Sequence, residues 1–412
     1  MNTTARKLTN KKHIFILVLL CSVVYFVSYL TRINYSAVLV EIMKSEGYTK
    51  TAASVPLTGL FIVYGIGQLI SGILGDKFSP EKIILFGLLL TSAMNIVLPF
   101  AHSTGIMTLI WSINGFAQAL MWPPLVKILA RYLRIEDYSK NIVYVIMGAN
   151  LGTIFVYAMS PVVISVSSWK FVFFGAATIA LIVAIVWILT IFNIEGRAVE
   201  TESEFISDTK TANGKIPFTS AAIILLSLIM FANIFQGLLR DGITTWMPTY
   251  MADTFGFASG SAILTGIALP IAAITISFFT ATIYRKVLKN EAKCTTLFFS
   301  VCAAACLVLV FAGTTNPALS TVMLMISSAA TQAVNFMYTS IAVAKFERFG
   351  KTSFITGAMN SSVYIGSAIS TYGIAAITVR FGWSGTMITW LACAVIGLFV
   401  SIFSIKPFEK KL

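Results

Sequence analysis

Charge is what this chain has least of. Asp, Glu, Lys and Arg together make up 11% of its 412 residues, against about 25% in ordinary soluble domains. That scarcity excludes a globule built to face water on all sides. Histidine occurs twice, as His13 and His102 at the ends of apolar runs. Five cysteines (Cys21, Cys294, Cys302, Cys306, Cys393) lie in or beside apolar segments. Their spacing fits no metal site, and an odd count argues against a complete disulfide set, so they read as small buried hydrophobes. No nucleophile–base set and no phosphate-cradling glycine loop stands out. The glycine-rich stretches fall inside apolar runs, where helix packing explains them. Neither an enzyme, a cofactor nor a metal is expected.

Apolar sequence fills the space left by charge. The chain is 57% hydrophobic, with a mean hydropathy of +0.87. At about 20 apolar residues per crossing, twelve segments emerge, near 14–40, 52–75, 82–101, 105–133, 139–166, 170–193, 219–251, 259–284, 294–313, 317–346, 352–379 and 384–405. The expected fold is an all-α membrane protein of twelve transmembrane helices. The basic amino end leads into a run too long for a cleavable signal, and no small-residue cleavage site follows.

The net charge of +13 does not point to nucleic acid, because the basic residues form no single patch. They gather in alternate connections: Arg6, Lys7, Lys11 and Lys12; Lys77 and Lys82; Arg131, Arg134 and Lys140; Arg285, Lys286, Lys289 and Lys293. The intervening connections hold only Lys44, Lys50, Lys170 and Arg380. The positive-inside rule then puts both termini in the cytoplasm of a plasma membrane, as in a bacterial inner membrane. The longest polar stretch, Glu195 to Lys215, has little to bury and reads as a mobile linker. It divides the chain into a six-helix bundle (1–194), a cytoplasmic linker (195–218) and a second six-helix bundle (219–412). Such halves commonly form pseudo-repeats with a binding site between them near mid-membrane. A monomer in the lipid bilayer is expected.

Two arginines interrupt the apolar pattern. Arg32 lies in Tyr29-Leu30-Thr31-Arg32-Ile33-Asn34-Tyr35-Ser36, and Arg240 lies in Gln236-Gly237-Leu238-Leu239-Arg240-Asp241-Gly242-Ile243. Each falls in the first segment of its half. A guanidinium at membrane depth costs from about 3 kcal/mol upwards, so it normally faces a bundle interior or a wet cavity. The two are expected to face each other across a central cavity and bind a small anion. Asp241, a helix neighbour, points about 100° away from Arg240. Pairing with Arg240, with Lys127 or with a cationic substrate group, or titration, are all open to it. Candidates for contacting the rest of a substrate include Asn34, Tyr35, Gln68, Gln118, Asn150, Asn335 and Tyr364. Asn114 and Gln118 share a helix face ahead of Trp122-Pro123-Pro124, where tandem prolines should kink the span. Lys127 is expected to snorkel. Trp246 and Tyr250 fit an outer aromatic belt or a cavity wall.

Gly72-Ile73-Leu74-Gly75-Asp76-Lys77-Phe78-Ser79-Pro80-Glu81-Lys82 resembles the short loop signature of the major facilitator superfamily, which implies a gating role for Gly72, Asp76 and Lys77. Three further blocks narrow the resemblance. They are Tyr29, Arg32, Asn34 and Ser36; the Asn114 to Pro124 stretch; and Leu238 to Tyr250. Together they look like the organophosphate:inorganic phosphate antiporter family, the branch of glycerol-3-phosphate and hexose-phosphate carriers. The resemblance implies the major facilitator fold, exchange of an organic phosphate or related phosphonate for inorganic phosphate by alternating access, and phosphoryl binding by Arg32 and Arg240. Two departures make the site less basic than the glycerol-phosphate pattern. Gln68 stands in Tyr64-Gly65-Ile66-Gly67-Gln68 where those carriers have lysine. Ala149 precedes Asn150-Leu151-Gly152 where they have histidine.

Two other functions fit the same chain. One is a proton-coupled symporter or exporter of the superfamily, with Asp241 as its proton site. The other is a sugar-phosphate sensor built on a carrier fold. In the antiporter reading, two unpaired arginines repel one another, and a bound dianion relieves that repulsion and lets the loaded carrier reorient.

Overall fold

A computed structural model describes residues 4–202, 219–343, 346 and 352–409. Helix dominates because apolar runs inside a bilayer must satisfy every backbone group internally. The helices are α1 (Lys11–Ala37), α2 (Leu39–Glu46), α3 (Lys50–Lys77), α4 (Pro80–Val97), α5 (Thr104–Ala119), α6 (Trp122–Tyr132), α7 (Ile135–Val166) and α8 (Trp169–Glu195). After the linker come α9 (Ser220–Phe255), α10 (Ser259–Thr265), α11 (Ala268–Ile283), α12 (Glu291–Ala312), α13 (Pro317–Phe336) and α14 (Thr352–Glu409).

Among the described residues, 10 helical stretches are long and apolar enough to cross a membrane. Two further crossings follow from local geometry. α14 turns at Gly382, whose φ of 68° is non-helical, and so is two rods. α5 and α6 make one crossing in two pieces, broken at Leu120 and Met121. The break lies just ahead of Pro123 and Pro124, as tandem prolines require. The segment expected at 259–284 is likewise two helices, α10 and α11, separated at Gly266. No loop separates the last two spans; the corner at Gly382 replaces the one expected at 380–383.

One feature departs from an all-helical chain. β1 (Thr4–Lys7) pairs antiparallel with β2 (Val199–Glu202), Lys7 opposite Val199 and Thr4 opposite Glu202. The start of the polar linker is therefore ordered as a strand, where a mobile segment was expected. The basic amino end and the acidic linker meet in that ribbon. The rest of the linker, 203–218, lies outside the described residues. Lys7 Nζ donates to the carbonyls of Ala130 (2.8 Å) and Leu133 (2.9 Å) at the end of α6, a favourable place for a cation.

The two arginine-bearing helices are packed in matching ways. Seen from α7, a Cβ added to Gly148 or Gly152 would lie 2.3 or 2.4 Å from the carbonyl oxygens of Ser22 and Phe26 on α1. In the second half, a Cβ on Gly237 of α9 would lie 2.0 Å from Val363 O, and one on Gly366 of α14 would lie 1.9 Å from Ile234 O. Only glycine lets the backbones come this close. The first helix of each half is thus pressed against the fifth.

Candidate functional site

Arg32 sits on α1, 7% exposed. Its guanidinium carbon lies 4.2 Å from the centre of the Tyr29 ring and 5.1 Å from that of Tyr64 on α3. Stacking over aromatic faces is a favourable setting for a desolvated guanidinium. Tyr25 adds an edge-on contact to Tyr29 at 5.2 Å, and Tyr364 of α14 one to Tyr64 at 4.4 Å. Tyr29 is in electrostatic reach of both Arg32 and Arg240, and Tyr364 acts on both as well. The two arginines therefore converge on one tyrosine-lined cluster between α1, α3, α9 and α14.

Two buried donors on α1 and α3 lack a hydrogen-bond partner, Arg32 Nε in the cluster and Gln68 Nε2 near it in the sequence of α3. Gln68 lies one turn beyond Tyr64 on the same face of α3 and is 6% exposed. Buried donors are normally paired, and orphans of this kind are suited to an acceptor-rich ligand.

Arg240 differs from the expectation of an unpaired cation. Its Nε donates to Asp241 Oδ1 at 2.9 Å and its Nη2 to Asp241 Oδ2 at 2.8 Å. Ser367 of α14 donates a further hydrogen bond to Oδ2. The Cβ directions of helix neighbours do diverge, but the arginine stem is long enough to fold its fork back onto the adjacent carboxylate. Asp241 also lies within the field of Arg32.

The other candidates separate into two groups. Asn34, Tyr35 and Gln118 are engaged inside the first six helices. Asn34 donates to Asn95 at 2.7 Å, the Tyr35 hydroxyl to Ala53 O at 3.0 Å, and Gln118 to Thr31 and Thr91 at 2.8 and 2.9 Å. With Asn114 they tie α1, α3, α4 and α5 together. Tyr364 lies in the arginine cluster, and Gln68 is buried one turn from Tyr64 on α3. Asn150 and Asn335 are half-buried on α7 and α13, with Asn150 donating weakly to Ile146 O at 3.4 Å. Lys127 is exposed on α6. Trp246 and Tyr250 are fully buried, donating to Thr371 O and Gly313 O, so neither belongs to an aromatic belt. The side chains of Gly72, Asp76 and Lys77 lie outside the described residues, although the backbone there is helical to Lys77.

Sequence reasoning passed over Tyr25, Tyr29 and Ser367 as site residues. The spacing of Tyr25, Tyr29 and Arg32 at i, i+4 and i+7 places them on one helix face and could have found the first two. Nothing local marks Ser367, which reaches Asp241 through the α9–α14 contact. A groove of about 740 Å³ between α3 and α14 shares Tyr364 with the cluster. Its exposed Ile62, Ile66, Ile365 and Ile369 turn it toward lipid, so it is a separate feature.

At the end of the bundle away from the amino terminus, the halves are clasped. Lys50, at the start of α3, pairs with Asp253 of α9 at 2.5 Å, and Trp383 Nε1 donates to the same carboxylate oxygen at 3.1 Å. Deeper in, the Thr58 and Thr371 hydroxyls meet at 2.7 Å, and Tyr157 donates to Thr244 O at 3.1 Å. The ion pair is partly exposed, at 25% and 36%, and should hold the closed form by no more than about 1 kcal/mol. Asp253→Asn should leave the melting temperature nearly unchanged while raising the alkylation rate of a Thr58→Cys reporter about fivefold. An unchanged alkylation rate would show that the ion pair does not hold this end shut.

The profile of the Major Facilitator Superfamily matches residues 21–371. The chain belongs to that superfamily. It is 28% identical to the glycerol-3-phosphate transporter of Bacillus subtilis (strain 168) over 251 residues, 56% of this chain and 55% of that protein. The shared region is thus about half of each. It is 20% identical over 415 residues to a probable hexose phosphate transport protein of Chlamydia trachomatis, covering 94% of this chain and 90% of that one. Among solved structures, an inward-facing, unoccupied bacterial homolog of the human lysosomal transporter Spinster superposes with a TM-score of 0.77. It shows 12% identity, with 98% of this chain and 99% of that one covered. At that identity the likeness speaks for the fold alone. This superfamily member is a multi-pass membrane transporter and not an enzyme.

Proposed function

We propose that this transporter exchanges an organic phosphate ester, or a related phosphonate, for inorganic phosphate by alternating access. The observation that carries this reading is the pair of orphaned donors, Arg32 Nε and Gln68 Nε2, together with two converging arginines. A phosphoryl group supplies several strong acceptor oxygens, and a guanidinium fork can meet two of them at once. The names of the relatives support the same substrate class. On this reading Arg32 and Arg240 bind the anion, with Gln68 and Tyr364 beside them. Asn150 and Asn335 are candidates for the organic part. Asn34, Tyr35 and Gln118 shape the wall from behind. Gly72, Asp76 and Lys77 gate at the cytoplasmic end, with both termini on that side and the two bundles, 1–194 and 219–412, rocking about the site as a monomer.

A proton-coupled reading is less well supported. A proton on Asp241 would neutralise the carboxylate that accepts two charge-assisted hydrogen bonds from Arg240 and one from Ser367, leaving the buried guanidinium without its counter-charge. In reconstituted vesicles, uptake of a phosphate ester should require phosphate inside and persist when an uncoupler collapses the proton gradient. Uptake into phosphate-free vesicles that the uncoupler abolishes would replace exchange with symport.

A further inference from the structure

The charge of the cluster is smaller than its two arginines suggest. Arg240 is already matched by Asp241 through both carboxylate oxygens. Arg32 lies against phenolic rings from its own helix and from α3, with Tyr364 from α14, and has no ion pair of its own among the described residues. Gln68, at the neighbouring turn, is neutral. The described groups facing Asp241 are Arg240 and Arg32, with Ser367 from α14. The ionised groups of the cluster are therefore two cations and one anion, a net charge of one.

We infer that the site selects the singly charged form of a phosphoryl group, with one oxygen protonated, and that Asp241 imposes this choice. The inference rests on the phosphate reading above and goes on to specify the charge state transported. A dianion would leave an uncompensated negative charge in a low-dielectric site. Alternatively it would have to pull Arg240 away from Asp241 and strand a buried carboxylate, and either course is unfavourable. A monoanion balances the cluster with every pair intact.

The hydrogen-bond inventory agrees. Asp241 Oδ2 accepts from Arg240 and from Ser367, whereas Oδ1 accepts only from Arg240. A carboxylate oxygen has two lone pairs, so Oδ1 retains room for a donor. A protonated phosphoryl oxygen can donate there, while the unprotonated oxygens accept from Arg32 Nε and Gln68 Nε2. A fully ionised phosphoryl group offers no donor and presents charge to charge. Neither histidine of the chain lies among these neighbours. Histidine is the side chain whose ordinary charge change falls in the range between pH 5.5 and 8.5, and none stands among the described neighbours of the cluster. A pH dependence within that window would thus report the ligand.

The test is binding of methyl phosphate to the purified full-length protein, by calorimetry at pH 5.5, 7.0 and 8.5. A phosphate monoester loses its second proton near pH 6. The wild-type dissociation constant, referred to total ester, should therefore weaken about tenfold per pH unit above 7, or roughly 30-fold between 7.0 and 8.5. Asp241→Asn raises the site's charge by one and removes the acceptor's charge, so its profile should flatten to within about threefold. The wild-type profile needs no variant to fold. A flat wild-type profile, or affinity that tightens as pH rises, overturns the charge-state inference and leaves the phosphate reading standing. A steep profile retained by folded Asp241→Asn removes Asp241 from it. No binding of methyl phosphate at any of the three values overturns the phosphate reading itself.

Discussion

Arg32→Lys should cut exchange by roughly 100-fold while the protein still inserts and folds. Lysine keeps the positive charge and most of the stem. It cannot reproduce the planar fork, and a point charge stacks less well on Tyr29, which lies 4.2 Å from the guanidinium carbon. Hydrogen bonds to a charged group are worth up to about 3 kcal/mol each, and roughly that much is at stake when two parallel donors are replaced by one. Arg32 is the sharper test of the two arginines because its Nε has no protein partner to lose. Arg240→Lys would also weaken the anchoring of Asp241 and mix assembly with binding. The measurement is counterflow of labelled phosphate in vesicles, with reconstituted protein quantified alongside. An Arg32→Lys protein exchanging at near wild-type rate and affinity would remove Arg32 from the anion site.

The second large effect is structural. Gly366→Val should destabilise the second half by about 3 kcal/mol or more, seen as a fall in melting temperature in detergent and in membrane abundance. The added Cβ would fall 1.9 Å from Ile234 O and 2.8 Å from Leu238 N. These are backbone atoms that cannot swing aside, and overpacking of a tight contact costs about 1–3 kcal/mol even where side chains can yield. Forcing α14 from α9 would also part Ser367 and Tyr364 from Asp241 and Arg240. Gly373→Ala on the same helix is the control. Nothing lies within 4 Å of its added Cβ, so the change should be neutral or slightly stabilising, as alanine favours helix by about 1 kcal/mol. Equal losses from both substitutions would mean that glycine's role at 366 is not close approach.

The spans were legible because hydropathy is a local property, summed over about twenty residues. The break ahead of Pro123 and Pro124 was legible for the same reason, since a missing N–H acts within one turn. Arg32 and Arg240 stood out because guanidinium groups are costly in lipid. What the sequence did not disclose depends on partners distant in the chain. Asn34, Tyr35 and Gln118 looked available, yet Asn95, Ala53 and Thr91 occupy them. Pairing of Asp241 with Arg240 was one of several outcomes left open, because a helical wheel fixes Cβ directions and not where a long side chain ends. The β1–β2 ribbon was hidden for a related reason. Two four-residue strands separated by six spans carry almost no local signal, and only opposite charge at the two ends hinted that they could meet.

That ribbon also bears on how the chain is made. β2 leaves the ribosome only after the sixth span, so β1 must wait for it with the amino end already synthesised. Closing so large a loop depends on the intervening helices having first brought its ends together, because contacts between residues far apart in sequence carry the entropy of everything between them. The two strands can zip only when the first six helices are in their places. Lys7, anchored on the carbonyls that end α6, then fastens the seam. The ribbon thus joins the two ends of the first six spans, a contact open to the chain only once those spans have brought its ends together.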